Sequence, residues 1–110
     1  RGVPVVGFDN LNAYYDPALK RARLKELENT SAKEGVSFSF VEGNLENAAE
    51  LNACFESHDF HRVIHLAAQA GVRHSITHPE EYVSSNLVGF ANMLEACRTA
   101  KTPHLVYAST

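Results

Sequence analysis

The sequence has little of what defines several protein classes. It has only two cysteines, Cys54 and Cys97, and both lie in apolar helical patterns. A disulfide scaffold or a redox pair is therefore not expected, and we predict buried, reduced thiols in a cytoplasmic protein. No apolar run approaches the roughly 20 residues that a membrane-spanning helix needs, and the first residues do not form a signal peptide.

An excess of positive charge is also missing. The 10 lysines and arginines are outnumbered by 13 aspartates and glutamates, which gives a net charge of −3. A general attraction to nucleic acid or to an anionic membrane is therefore excluded, and any phosphate binding must be local. What is present is typical of a globular chain: 110 residues, of which 45% are apolar and 21% charged.

Hydrophobic periodicity predicts an α/β fold. Strands are expected around 3–8, 36–41, 62–68 and 104–108, and the first and third of them are expected to be buried. Three helices alternate with them, the first opened by Asp16-Pro17 and fraying into 29–31. The order β-α-β-α-β-α-β predicts parallel strands with helical crossovers, as in part of a Rossmann-like doubly wound sheet. We assign residues 1–110 to one partial domain of this fold.

Two helix signals are specific enough to test. Asn47, with Glu50 three residues later, predicts a capping pair for a helix that buries Leu51, Cys54 and Phe55. Pro79 opens the longest helix, whose apolar residues predict a buried stripe with a 3.6-residue period. The members of this stripe are Val83, Leu87, Phe90, Ala91, Leu94 and Cys97.

The candidate site residues follow the strands, because ligands bind at the carboxyl ends of strands in such sheets. Asp9 follows the first strand, where an acidic side chain can accept a hydrogen bond from a ribose hydroxyl and repel a 2′-phosphate. The alternative is that Asp9 only caps a turn. Asn44-Leu45 follows the second strand, where an amide could contact an adenine ring or simply form a turn.

Small residues follow the third strand, in the segment 66–71. They could let a flat ligand or a pyrophosphate approach the backbone, or only pack against a helix. Arg73 is the one cation in this loop, and it could bind a phosphate or carboxylate or be a solvated surface residue. Tyr82 and Asn86 flank the apolar stripe of the long helix, where they could satisfy loop backbone or face a site.

Ser109 and Thr110 follow the last strand, where a hydroxyl could hold a substrate oxygen or mark an ordinary transition to a loop. No nucleophile or general base is evident beside them. The six histidines have no metal-ligand spacing, so a metal site is not expected.

The segment HLAAQAGVR, residues 65–73, together with Pro79, Tyr82 and SNLVGF at 85–90, resembles the UDP-glucuronate 4-epimerases. These enzymes belong to the extended short-chain dehydrogenase/reductase superfamily. The resemblance covers essentially the whole chain and is most specific at HLAAQAGVR. One departure is Asn44, where the family usually has aspartate; we expect altered affinity rather than lost binding.

The resemblance implies a role for each candidate residue. Asp9 would bind the adenosine ribose with Asn10 close to it, and Asn44-Leu45 would lie at the adenine. Leu66, Ala67 and Ala68 would pass along the cofactor, with Gln69 near its nicotinamide half and Asn86 supporting the site. The remaining assignments concern the substrate side and the segment beside it: Ser109 next to the active site, Thr110 at the sugar O4, and Arg73 at the anionic substrate.

The implied activity is interconversion of UDP-glucuronate and UDP-galacturonate through transient oxidation at C4 by NAD, in a parent expected to be a homodimer. The glycine-rich phosphate loop and the family's Tyr-x-x-x-Lys pair are not in these residues, so catalysis by this piece alone is not expected. Two alternatives remain open: a nucleotide-sugar 4,6-dehydratase of the same fold, and a non-catalytic dinucleotide-binding or scaffold protein.

Overall fold

A computed structural model describes residues 2–110 as two compact units, one ending at Gly43 and the other beginning at Asn44. The first unit has the elements β1 (Val5–Asp9), α1 (Pro17–Glu34) and β2 (Phe38–Glu42). The second has α2 (Ala48–Glu56), β3 (Arg62–His65), α3 (His74–Thr77), α4 (Pro79–Tyr82), a π-helical segment (Val83–Val88), α5 (Gly89–Ala100) and β4 (His104–Tyr107). Apart from the short α3, which was not predicted, the order alternates as the sequence indicates.

The first unit is a parallel strand pair joined by a helical crossover. β1 and β2 are in register from Val5 opposite Phe38 to Asp9 opposite Glu42. Parallel pairing with a helix between the strands confirms the predicted β-α-β unit. The prediction that the first strand is covered on both faces is wrong for the described residues, since the side chain of Val5 is 52% exposed.

Helix α1 begins where the sequence indicates but ends later than expected. An Oδ1 atom of Asp16 accepts a hydrogen bond from the Ala18 N–H at 2.9 Å, and Gly35 ends the helix with φ at 66°. Fraying at 29–31 does not occur, because the Ser31 hydroxyl and carbonyl both bond to Val36 and close the last turn. None of its residues is buried, so α1 faces solvent in the described chain.

The second unit has its own parallel pair, with β3 and β4 in register from Arg62 opposite His104 to His65 opposite Tyr107. The predicted strand to Ala68 is too long, because the last bond across this pair runs from the Ala108 N–H to the His65 carbonyl. The prediction of a buried strand is also wrong, since the side chain of Ile64 is 70% exposed. Alternate residues of a strand face opposite sides, and only the side of His65 is covered by described residues.

Helix α2 buries Leu51, Cys54 and Phe55, as predicted. Asn47 caps it by accepting hydrogen bonds from the backbone N–H groups of Ala49 and Glu50, at 3.1 and 3.2 Å. Glu50 does not complete a reciprocal pair. The Asn47 N–H already donates to the Asn44 carbonyl, so the Glu50 carboxylate accepts from the Asn44 N–H instead, at 2.7 Å.

The long helix is continuous in the chain but not uniformly α-helical. The Gly89 N–H donates to the Ser84 carbonyl, an i→i+5 bond that defines the π-helical segment. The predicted buried stripe is therefore mostly wrong, because a wider turn shifts the side chains that follow it to another face. The residues that α5 buries are Gly89, Met93, Ala96 and Cys97, of which only Cys97 was predicted.

Two further features concern residues 2–110 as a whole, the state of the cysteines and the character of the helices. Both cysteines are free and buried, as predicted, and burial raises the pKa of each thiol above its usual value. Within that range, no helix has the length and the apolar character needed to cross a membrane.

Candidate functional site

The loop that follows β3 is held by the side chain of Asn86. The Oδ1 atom of Asn86 accepts a hydrogen bond from the Gln69 N–H at 2.7 Å, and its Nδ2 atom donates to the Gln69 carbonyl at 3.1 Å. One amide thus satisfies both backbone groups of a residue that is only 7% exposed. The sequence left open whether Asn86 satisfies loop backbone or faces a site, and the described contacts are with backbone.

Tyr82, one turn earlier on the same helix, holds the next two residues. Its hydroxyl donates to the Ala70 carbonyl at 2.8 Å, and the Gly71 carbonyl lies within hydrogen-bonding distance of the same hydroxyl. Gly71 has φ at 98°, a conformation that residues with a side chain rarely adopt. Tyr82 and Asn86 together therefore fix three consecutive backbone positions after the strand.

Immediately before this fixed backbone, the chain is open. Leu66, Ala67 and Ala68 are exposed, and the Leu66 side chain reaches 71%. The small side chains of Ala67 and Ala68, beside a fixed backbone, leave room for a flat ligand, because little needs to be displaced or ordered. Arg73, at the start of α3, is also exposed and makes no side-chain bond to that helix.

The loop that follows β2 is held by a residue that sequence reasoning missed. The Nδ2 atom of Asn92, on α5, donates to the Leu45 carbonyl at 2.7 Å across 47 positions of sequence. The Leu45 side chain is buried, and a Cβ added to Gly89 would lie 3.0 Å from the Leu45 Cβ. The one signal in the sequence was that Asn92 is a polar residue within an apolar helical pattern. It was missed because the predicted buried stripe was assigned to other positions of the helix.

The turn that follows β1 belongs to the other unit. The Oδ1 atom of Asp9 accepts from the Leu11 N–H at 2.7 Å, and that of Asn10 accepts from the Asn12 N–H at 3.0 Å. These bonds stabilise Leu11 with its unusual φ of 51°. Asp9 does cap a turn, but only one of its two carboxylate oxygens is used within the described chain. The other oxygen makes no hydrogen bond within residues 2–110.

Ser109 and Thr110 follow β4 and are exposed. Within residues 2–110 neither makes a hydrogen bond to another predicted site residue. The described structure therefore brings together Gln69 and Asn86 by direct contact, and it leaves the two hydroxyls free.

Four of the six histidines make contacts within the described chain, namely His58, His65, His74 and His78. His65 is 7% exposed and stacks on Phe90, with 5.4 Å between the ring centroids. Burial lowers the pKa of the His65 imidazole below its usual value. His74 bonds to the Glu81 carboxylate at 2.9 Å and stacks on His78. In the described part of the chain, no group of His, Cys, Asp and Glu side chains could hold a metal ion.

Comparison with known proteins gives one family match over the full length. The sequence profile of the family described as GDP-mannose 4,6 dehydratase matches residues 1–110. The chain is 50% identical to UDP-glucuronate 4-epimerase 3 of Arabidopsis thaliana over 111 aligned residues, which cover all of this chain and 24% of that protein. The chain thus spans about a quarter of the length of this relative.

Solved structures show the same fold. The UDP-glucose 4-epimerase of Brucella ovis in complex with NAD superposes with a TM-score of 0.71 at 28% identity, over 96% of this chain and 28% of that one. A UDP-glucose 4-epimerase of Stenotrophomonas maltophila with bound NAD and formylated UDP-arabinopyranose gives 0.74 at 25% identity, over 97% and 30%. The described residues are therefore a segment of a Rossmann-like α/β fold, as predicted.

Proposed function

The chain belongs to the GDP-mannose 4,6 dehydratase family, and on that premise we propose that its parent protein is an NAD-dependent nucleotide-sugar 4-epimerase. The substrates proposed are UDP-glucuronate and UDP-galacturonate. The observation that carries this proposal is the 50% identity to a UDP-glucuronate 4-epimerase along the entire chain. The whole of residues 1–110 is proposed to lie in the NAD-binding domain, with the substrate domain elsewhere in the parent.

Two loops of the described chain, each considered within its own unit, offer groups that suit parts of a dinucleotide. Asp9 has a carboxylate oxygen available for a ribose hydroxyl, with Asn10 beside it. Leu66, Ala67 and Ala68 leave an open approach to the backbone after β3. When bound, NAD would supply a reversible hydride acceptor for the sugar C4.

The protein side of this proposal is positioning. Gln69 would lie near the nicotinamide half, and its backbone is already fixed by Asn86. A contact surface that is rigid before binding costs less entropy when the ligand arrives, so the clamp would favour both affinity and correct placement. Asn44 and Leu45 would lie at the adenine.

The substrate side rests on fewer residues. We propose that the Thr110 hydroxyl holds the sugar O4, with Ser109 beside it, and that the Arg73 guanidinium binds the sugar carboxylate. Both hydroxyls and the guanidinium are exposed and available. A guanidinium suits a carboxylate because it can donate two parallel hydrogen bonds. The parent is proposed to act as a homodimer.

The test uses the full-length protein with UDP-glucuronate, and chromatography to resolve UDP-galacturonate. Interconversion is expected. Conversion of a UDP- or GDP-hexose to a 4-keto-6-deoxy product, without epimerisation of UDP-glucuronate, would favour the dehydratase. If neither reaction occurs and NAD does not bind, the enzyme proposal fails.

Thr110 offers a sharper test of the site. Thr110→Val, which keeps the shape but removes the hydroxyl, is expected to lower kcat by roughly 100-fold while NAD remains bound. Thr110→Ser, which keeps a hydroxyl, is the matched control and should retain most of the activity. Equal activity of the valine variant and the wild type would remove Thr110 from the site.

A further inference from the structure

The backbone around Asn44 and Leu45 is tied at three points. The Asn44 N–H donates to the Glu50 carboxylate at 2.7 Å, and the Asn44 carbonyl accepts from the Asn47 N–H at 3.1 Å. The Leu45 carbonyl accepts from Asn92 at 2.7 Å. Of these three hydrogen bonds, only the one from Asn92 links the loop to α5, beside the packing of the Leu45 side chain against Gly89.

The side chain of Asn44, unlike its backbone, has no hydrogen-bonding partner among residues 2–110. It is half-buried. A polar side chain left free on a residue whose own backbone N–H and carbonyl are both bonded is available for a ligand, and it loses little freedom when the ligand binds. An asparagine amide can donate to and accept from an adenine edge at the same time.

We propose that Asn92 is a positioning residue for the adenine end of the dinucleotide. It acts through the Leu45 carbonyl, which sets where the Asn44 amide lies relative to α5. The close approach of Gly89 to the Leu45 side chain supports the same placement, because the loop is pressed against the helix there. This inference rests on the proposed binding of NAD, but not on the identity of the sugar.

The test measures binding of two halves of the cofactor to the full-length protein after the cofactor has been removed. AMP carries the adenine, whereas nicotinamide mononucleotide does not. Asn92→Leu, which has a similar size but no donor, is expected to weaken AMP and NAD binding by about three- to tenfold, the effect of one hydrogen bond. Binding of nicotinamide mononucleotide and kcat at saturating NAD should stay unchanged.

A second variant and a control complete the design. Asn92→Asp places an acceptor against the Leu45 carbonyl, keeps the polarity of the site, and should weaken AMP binding at least as much. Asn52→Ala is the control, because Asn52 is exposed on α2 and its side chain makes no hydrogen bond in the described chain. On an Asn44→Ala background, Asn92→Leu should have little further effect on AMP binding.

Each outcome has one meaning. Unchanged AMP binding in both Asn92 variants would overturn the inference, and so would equal weakening of AMP and nicotinamide mononucleotide, which indicates general disruption. If the Asn92 variants weaken AMP binding as expected but the wild-type protein does not epimerise UDP-glucuronate, only the proposed substrate is overturned. A wild-type protein that binds neither AMP nor NAD would overturn both proposals.

Discussion

Replacing Asn86 by leucine removes both hydrogen bonds that hold the backbone of Gln69, those of 2.7 and 3.1 Å. Each bond contributes about 1 kcal/mol net, so the loop should become less stable by about 2 kcal/mol. Because Gln69 is 7% exposed, water compensates poorly for the lost partners. Opening of the loop should then be about 30-fold more frequent, since every 1.4 kcal/mol is a factor of ten.

Hydrogen exchange followed by mass spectrometry on the full-length protein measures this opening directly in a peptide covering residues 66–73. Asn86→Asp divides the effect, because aspartate still accepts from the Gln69 N–H but cannot donate to its carbonyl at neutral pH. Protection in that peptide should fall in both variants and stay unchanged in Asn52→Ala. If Asn86→Leu exchanges at the wild-type rate, the clamp does not stabilise the loop and the reasoning is refuted.

Two further variants test the packing of the second unit by thermal unfolding of the full-length protein. Gly89→Ala should lower Tm by the equivalent of about 1 kcal/mol, because a Cβ placed 3.0 Å from that of Leu45 costs more than alanine's helix propensity returns; a raised Tm would contradict this. Burial lowers the pKa of His65, so the unfolded chain binds more protons than the folded one, and stability is lost as the pH falls below about 6.5. His65→Phe should therefore reduce the fall in Tm between pH 7.5 and pH 5. Replacing His61, which is exposed, should not reduce it.

The elements set by local chemistry could be predicted from the sequence. Asp16 and Asn47 cap helices because their side chains reach N–H groups only two or three residues away. The three buried residues of α2 followed from their spacing.

The predictions that failed have physical causes that the order of residue types does not display. The buried face of α5 was wrong because the π turn before it changes the phase of the helix. Glu50 was assigned to Asn47, but the Asn47 N–H was already satisfied by Asn44. The end of α1 was placed too early because the bonds between Ser31 and Val36 reach beyond the helix.

For the candidate site, the sequence supports only the order of the residues that follow each strand. The predicted strand ends placed Asp9, Asn44 and Gln69 in the loops after the strands. The family resemblance supplied their proposed roles. Which side chains hold these loops depends on contacts between distant positions, 17 apart for Asn86 and 47 apart for Asn92. A single sequence does not display such pairs.

The π-helical segment and the helix after it also determine where the chain can tolerate an insertion or a deletion. Asn86 lies within it and Asn92 follows it, and each holds a different loop. Deleting one residue between them would rotate one clamp relative to the other by about 100°, so both loops could not be held at once. Most surface loops tolerate insertions and deletions, whereas this stretch of helix should tolerate substitution far better than any change in its number of residues.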